Sequence, residues 1–246
     1  IITSFLVYNL MERHAVSFEK EFRIIFWQCI KCEWAQKDRF IAPLLFAVTS
    51  LLLCNIVFID LAESMSFSLF IAEVFFVILL SSQVCLLKQF AIEQRDQVDK
   101  IIRVSEVRCS SWYLAKYAVM FLLIFFIVVF TILLASLFQT TDASSIIFHG
   151  FFWFIICLCV SCLSSLGSLL SAVVVNSGNK EILLPILFYP LSCPVLIGGI
   201  EGANLLFLMQ ESSLNSNITN WIYLLLGFNV IYLTLGLTLF DELSSS

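Results

Sequence analysis

The chain has 246 residues, 61% of them hydrophobic and 13% charged, and its mean hydropathy is +1.01. Soluble domains run about 45–50% apolar and about 25% charged, which excludes that class. Twenty-five phenylalanines against eight glycines and four prolines exclude collagen-like, linker and disordered chains, and the net charge of −5 matters less than where the charges fall.

The first residues carry no basic n-region with a cleavage site, so no signal peptide is expected. The first 40 residues hold one predicted helix, about 17–37, with Phe18, Phe22, Ile25 and Cys29 on one face and Lys20, Arg23 and Lys31 elsewhere. Trp27 and Trp34 suit the headgroup region, so this helix is expected to lie in the inner membrane interface. Asp38, Arg39 and Pro43 mark the turn into the bilayer, since Pro is tolerated in the first turn of a helix. Cys29 and Cys32 have redox or metal spacing, but both fall on the apolar face with no following His, so they read as packing residues.

Six apolar stretches follow, at about 41–59, 67–87, 117–138, 146–175, 182–200 and 219–240, each near the roughly 20 residues that span a bilayer as a helix. None alternates polar and apolar residues as a barrel strand does. The expected fold class is therefore all-α: a polytopic membrane protein with six transmembrane helices, an N-terminal segment over 1–40 and a membrane domain over 41–240. Cys54, Cys85, Cys157, Cys159, Cys162 and Cys193 lie within apolar runs, so no disulfide framework is predicted.

Basic residues set the orientation. Arg13, Lys20, Arg23, Lys31, Lys37 and Arg39 precede the first stretch; Lys88, Arg95, Lys100, Arg103, Arg108 and Lys116 separate the second from the third; Lys180 separates the fourth from the fifth. Residues 60–66, 139–145 and 201–218 contain no Lys or Arg but hold Asp60, Glu63, Asp142, Glu201 and Glu211. Both termini and the basic loops are expected on the inner side.

Between the second and third stretches, residues 93–105 read as a short helix outside the bilayer. Asp96 with Lys100 and Asp99 with Arg103 are acid-before-base pairs four apart, each worth roughly 0.2–0.5 kcal/mol. Val98, Ile101 and Ile102 form an apolar ridge. The pattern suits a helix that docks on a partner, or equally a solvated connector. The fifth stretch holds Pro185, Pro190 and Pro194 and ends in Gly198, Gly199 and Gly202. Interior prolines remove backbone hydrogen bonds, so a broken helix is expected over 190–202, as a moving or re-entrant part, with a static kink at Pro185.

Other chemistry is sparse. Ser177-Gly-Asn-Lys180 is not a phosphate loop, and His14 and His149 are the only histidines. His149 reads as interfacial, not as a haem ligand. Glu73 is the one acid well inside a stretch and hence a functional candidate. Asn217-Ile-Thr219 matches a glycosylation acceptor on the outer side, a pattern common by chance. No catalytic centre, metal site, bound cofactor or nucleic-acid partner is predicted.

An interfacial helix, six spans and a charged helix between spans two and three make up the layout of an ABC-2-type permease. Within that class, Pro43-Leu-Leu-Phe46, Phe90-Ala-Ile-Glu93, Lys100-Ile-Ile-Arg-Val-Ser105, Tyr113-Leu-Ala-Lys116, Ser165-Leu-Gly-Ser168, Leu184-Pro-Ile-Leu-Phe-Tyr-Pro190 and Pro194-Val-Leu-Ile197 together resemble the heme exporter protein B (CcmB) family over about residues 18–240. The chain departs from the family at Gln97, where Gly is usual, and at Glu106, where Pro is usual; Lys100 and Arg103 are also more charged than expected.

The resemblance implies a bacterial inner-membrane permease subunit with no enzymatic activity of its own. ATP would be bound by a separate CcmA-like ATPase subunit, and CcmC-like and CcmD-like membrane proteins and a CcmE-like haem chaperone would be partners. Haem is the implied cargo, or release of the haem-loaded chaperone the implied output. Glu93, Asp96, Val98, Asp99, Ile101 and Ile102 would be the coupling contacts, and Pro185, Pro190, Pro194, Gly198 and Gly199 the gating span. Two copies are expected, with Ser164, Ser165, Gly167 and Ser168 allowing helices to approach closely. The competing readings are another ABC-2-type exporter, of lipid, drug or polysaccharide, and a self-sufficient ion-coupled carrier.

Overall fold

The computed structural model describes residues 18–35, 38–58, 62–95, 109–138, 150–174, 180–208 and 216–245, all of them helical. In chain order these are α1 (Phe18–Ala35), α2 (Asp38–Phe58), α3 (Ala62–Arg95), α4 (Cys109–Phe138), α5 (Gly150–Val174), α6 (Lys180–Leu208) and α7 (Ser216–Ser245).

Helix α1 matches the predicted amphipathic helix and lies along α4. Its packed face is turned slightly from the expected one: Ile25 is buried, and Phe26, Cys29 and Ile30 join it against the core, with the Phe22 and Phe26 rings stacked at 5.8 Å. Trp27 is exposed, and the Lys31 ammonium sits 5.8 Å from the centre of its ring, a cation–π contact at the polar edge of the helix.

Five helices carry apolar windows long enough to cross a membrane: Ser68–Ala91 in α3, Ser110–Leu137 in α4, Gly150–Ser171 in α5, Ile182–Leu206 in α6 and Ile218–Phe240 in α7. The first expected span is shorter. Its apolar part is Ile41–Val57, which at 1.5 Å per residue covers about 25 Å against a hydrocarbon core of about 30 Å. Asp38 and Arg39 bound it at one end and Asp60 at the other. Among the described residues there are thus five long apolar helices and one short one, where six spans were expected.

The core forms around α5, which packs on α4, α6 and α7, while α3 bridges α2, α4 and α6. Burial is uneven: 89% of the α5 window is enclosed by the chain, against 22% for α7. Helix α5 can be central because its polar side chains satisfy themselves. Ser164, Ser165, Ser168 and Ser171 donate their hydroxyls to the carbonyls of Ser161, Cys162, Ser165 and Ser168, at 2.6–2.9 Å.

That arrangement corrects one expectation. Ser164, Ser165 and Ser168 are buried inside a single chain, and Leu86 and Met120 pack where a side chain on Gly167 would stand. These residues let α5 sit close to its own neighbours and are not available as a contact between copies. Small residues serve close approach in either setting, because in lipid the attraction between helices comes from packing and not from escape from water.

Candidate functional site

Three polar linkages tie the bundle together. The first begins one turn into α4. Tyr113 is fully buried, with its ring across the backbone of Gly236 on α7 and 5.2 Å from the ring of Phe240. A Cβ at Gly236 would overlap the phenol, so the ring's position depends on glycine there. The Tyr113 hydroxyl donates a long hydrogen bond, 3.4 Å, to the carbonyl of Tyr232, one turn earlier on α7. Tyr232 in turn donates its own hydroxyl, at 2.8 Å, to the carbonyl of Leu191 on α6.

Leu191 lies among the prolines, and here the structure differs from the expectation of a broken span. Helix α6 is continuous from Lys180 to Leu208 through Pro185, Pro190 and Pro194. Side chains add bonds around these turns: Ser192 of α6 itself donates to the Tyr189 carbonyl at 2.9 Å, Tyr232 of α7 donates to Leu191, and the Cys159 thiol of α5 approaches the Val195 carbonyl at 3.9 Å. The prolines take the helical donors from the carbonyls of Glu181, Ile186 and Pro190, so these bonds brace the adjacent turns and do not replace the missing donors.

Gly198 and Gly199 also have a packing role. A Cβ on Gly198 would stand 3.2 Å from Leu224 of α7, and one on Gly199 would stand 2.7 Å from the Cys159 sulfur and against the ring of Phe75. The glycine pair is where α6 meets α3, α5 and α7. Of the prolines, Pro190 is exposed, whereas Pro185 and Pro194 are half-buried.

The second linkage lies deeper. Ser161 on α5 shares a 2.6 Å hydrogen bond with Tyr117 on α4 and accepts one from the Asn229 carboxamide on α7, at 2.5 Å. The other end of that carboxamide, Oδ1 of Asn229, is buried without a protein partner. In an apolar setting such a network fixes three helices relative to one another.

The third holds the intramembrane acid. Glu73 on α3 is 7% exposed, and its Oε1 accepts a 2.6 Å hydrogen bond from Asn55 on α2, which also donates to the Leu51 carbonyl at 3.1 Å. Asn55 thus clamps the short helix α2 to α3. A basic side chain is also buried within an apolar window: Lys116 on α4. Its place beside the basic loop made it read as the end of that loop, but α4 begins at Cys109, two turns before it.

The remaining sequence candidates fall as follows. Glu93 lies on α3, which runs unbroken from Ala62 to Arg95, so Phe90 to Glu93 continue the span and do not open a separate helix. Asp96, Val98, Asp99, Ile101 and Ile102 lie outside the described residues, as do His14 and His149. Cys162 is buried and its thiol donates to the Leu225 carbonyl at 3.2 Å, a packing role like that of Cys159. Among the described residues no three His, Cys, Asp or Glu side chains come together as a metal site would need. Tyr113, Gly236 and Tyr232 were not singled out in the sequence as a group. Asn229 left a usable signal, a lone carboxamide in an apolar run.

What these groups do chemically is hydrogen-bond helix to helix. The family model described as CcmB protein matches residues 20–240, from the start of α1 to the last turns of α7. No curated protein matches the chain. Helical architecture and family match agree over almost the whole sequence, and the chain belongs to the CcmB family, the ABC-transporter permease subunits of haem transport and cytochrome c biogenesis.

Proposed function

We propose that the chain is one membrane half of an ATP-driven complex, in which a separate CcmA-like ATPase subunit does the hydrolysis and residues 96–108 receive its movement. One observation carries this reading. Helix α3 continues past its apolar window to Arg95, and α4 starts at Cys109, one residue before its own window. The intervening segment is thus held between two long helices, on the side where basic residues gather. A displacement there tilts both helices.

In this reading Glu93, Asp96 and Asp99 fix the register of docking while Val98, Ile101 and Ile102 supply the apolar anchor. Both termini face the inner compartment of the bacterial inner membrane, α1 lies in the inner interface, and α2 crosses as a short sixth span. The chain holds no cofactor of its own; haem, or the haem-loaded chaperone released from the complex, is the cargo handled together with CcmC-like and CcmD-like partners. Two ATPase subunits need two docking segments, and a second copy of this chain is the expected source of the second. That contact must use a surface other than the α5 serines.

The test is co-purification with and without Ile101→Asp, which puts a charge into the docking groove at a cost of about 2–4 kcal/mol if the groove is dry. The substituted chain is expected to insert normally and to lose the ATPase and cytochrome c maturation. An Ile101→Asp chain that still binds the ATPase makes the segment a plain connector. A native chain that never brings one down favours an ion-coupled carrier. A particle with one copy per two ATPases gives the second half to another membrane subunit.

A further inference from the structure

The tyrosine linkage runs from the inner start of α4 to the proline-bearing turns of α6, and it crosses α7 on the way. Tyr113 stands one turn after Cys109, where α4 emerges from the 96–108 segment. Its ring is locked across Gly236, so α4 cannot shift along α7 at this level without moving it. On α7 the next link is Tyr232, four residues from Gly236 and on the same face; its carbonyl accepts from Tyr113 and its hydroxyl donates to Leu191. Leu191 lies three residues before Pro194, whose missing N–H leaves the Pro190 carbonyl without its helical donor. The next carbonyl, that of Leu191, accepts a hydroxyl from another helix, which braces the turn beside this gap.

From this geometry, and resting on the permease reading above, we infer that Tyr113 and Tyr232 act in series as positioning residues that carry movement of the inner end of α4 through α7 into the proline turn of α6. Neither tyrosine touches cargo or nucleotide. Tyr113 sets where α7 stands against α4, and Tyr232 sets whether the turn around Leu191 is held or released. A steric lock followed by a single hydrogen bond has two discrete states, closed and open, which a gradual deformation of packed helices would lack.

The test uses Tyr113→Phe, Tyr232→Phe and the double variant, each in the full chain with its ATPase subunit. Phenylalanine keeps both rings in place and removes only the hydroxyls. Three quantities are measured: recovery of the ATPase with the chain, melting temperature of the complex, and cytochrome c matured per ATP hydrolysed. Assembly and ATP hydrolysis are expected to persist. Each single variant should lower maturation per ATP on the order of fivefold, the equilibrium shift produced by one lost hydrogen bond, and the double variant should be no worse than the singles. Unchanged coupling in the singles overturns the inference, as do multiplied losses in the double variant or losses that track the melting temperature. A native chain that recovers no ATPase overturns the permease reading, and the linkage falls with it.

Discussion

The ring of Tyr113 occupies the space that a side chain on Gly236 would fill, and this contact limits how closely α4 and α7 approach near the start of α4. Because the obstacle is a buried ring and not the free end of a flexible chain, the fit is intolerant of added volume. Gly236→Ala is expected to destabilise the protein by about 1–3 kcal/mol, the usual cost of overpacking. Melting of the purified protein checks this. Tyr113→Ala in the same chain should recover part of the loss, since it vacates the space the new methyl group needs.

The order of effects around Ser161 separates its role from that of Asn229. Ser161→Ala strands both the Tyr117 hydroxyl and the Asn229 carboxamide, and leaving buried polar groups unpaired costs about 1–3 kcal/mol. Asn229→Leu removes one of those donors together with an oxygen that has no protein partner, so it should cost less. Melting temperatures of the two variants in the same detergent give the comparison. The reverse order would mean that Asn229 Oδ1 is engaged in the membrane-embedded protein.

Glu73 and Asn55 make a similar pair. Glu73→Gln keeps a carbonyl oxygen facing the Asn55 carboxamide and is expected to preserve folding and yield. Asn55→Leu leaves Glu73 buried without this partner and frees α2 from α3, so yield of folded protein should fall, with a cost again of about 1–3 kcal/mol. Equal tolerance of both substitutions would show that packing alone holds α2 in place.

Orientation can be read by labelling. Single cysteines at Glu63 and Glu211 are expected to react with a membrane-impermeant maleimide from the outer side of intact cells, and one at Lys100 only after the cells are opened. Labelling of residue 63 from the inner side would invert the proposed topology.

Membrane class, all-helical architecture and family were legible in the sequence, because each rests on local quantities: run length, the Lys and Arg count by segment, and short motifs in order. The amphipathic helix over Phe18–Ala35 was legible for the same reason. The sixth span was only half legible, since Ile41–Val57 lies near the length at which an apolar run ceases to span the bilayer.

Tertiary structure alone decided the rest. Helices with apolar residues all round carry no stripe that separates a face toward lipid from a face toward protein, so nothing local said whether Ser164, Ser165 and Ser168 would face a second copy or their own bundle. The three prolines of α6 announced missing backbone donors, yet α6 runs unbroken, and a turn beside them is braced at the Leu191 carbonyl by Tyr232, about forty residues away. Gly236 is one glycine among eight until Tyr113, more than a hundred positions earlier, is laid across it. The chain's own composition determines that it enters the bilayer as helices. Which side chains lock those helices together depends on close packing between distant segments, which has no counterpart in any local pattern.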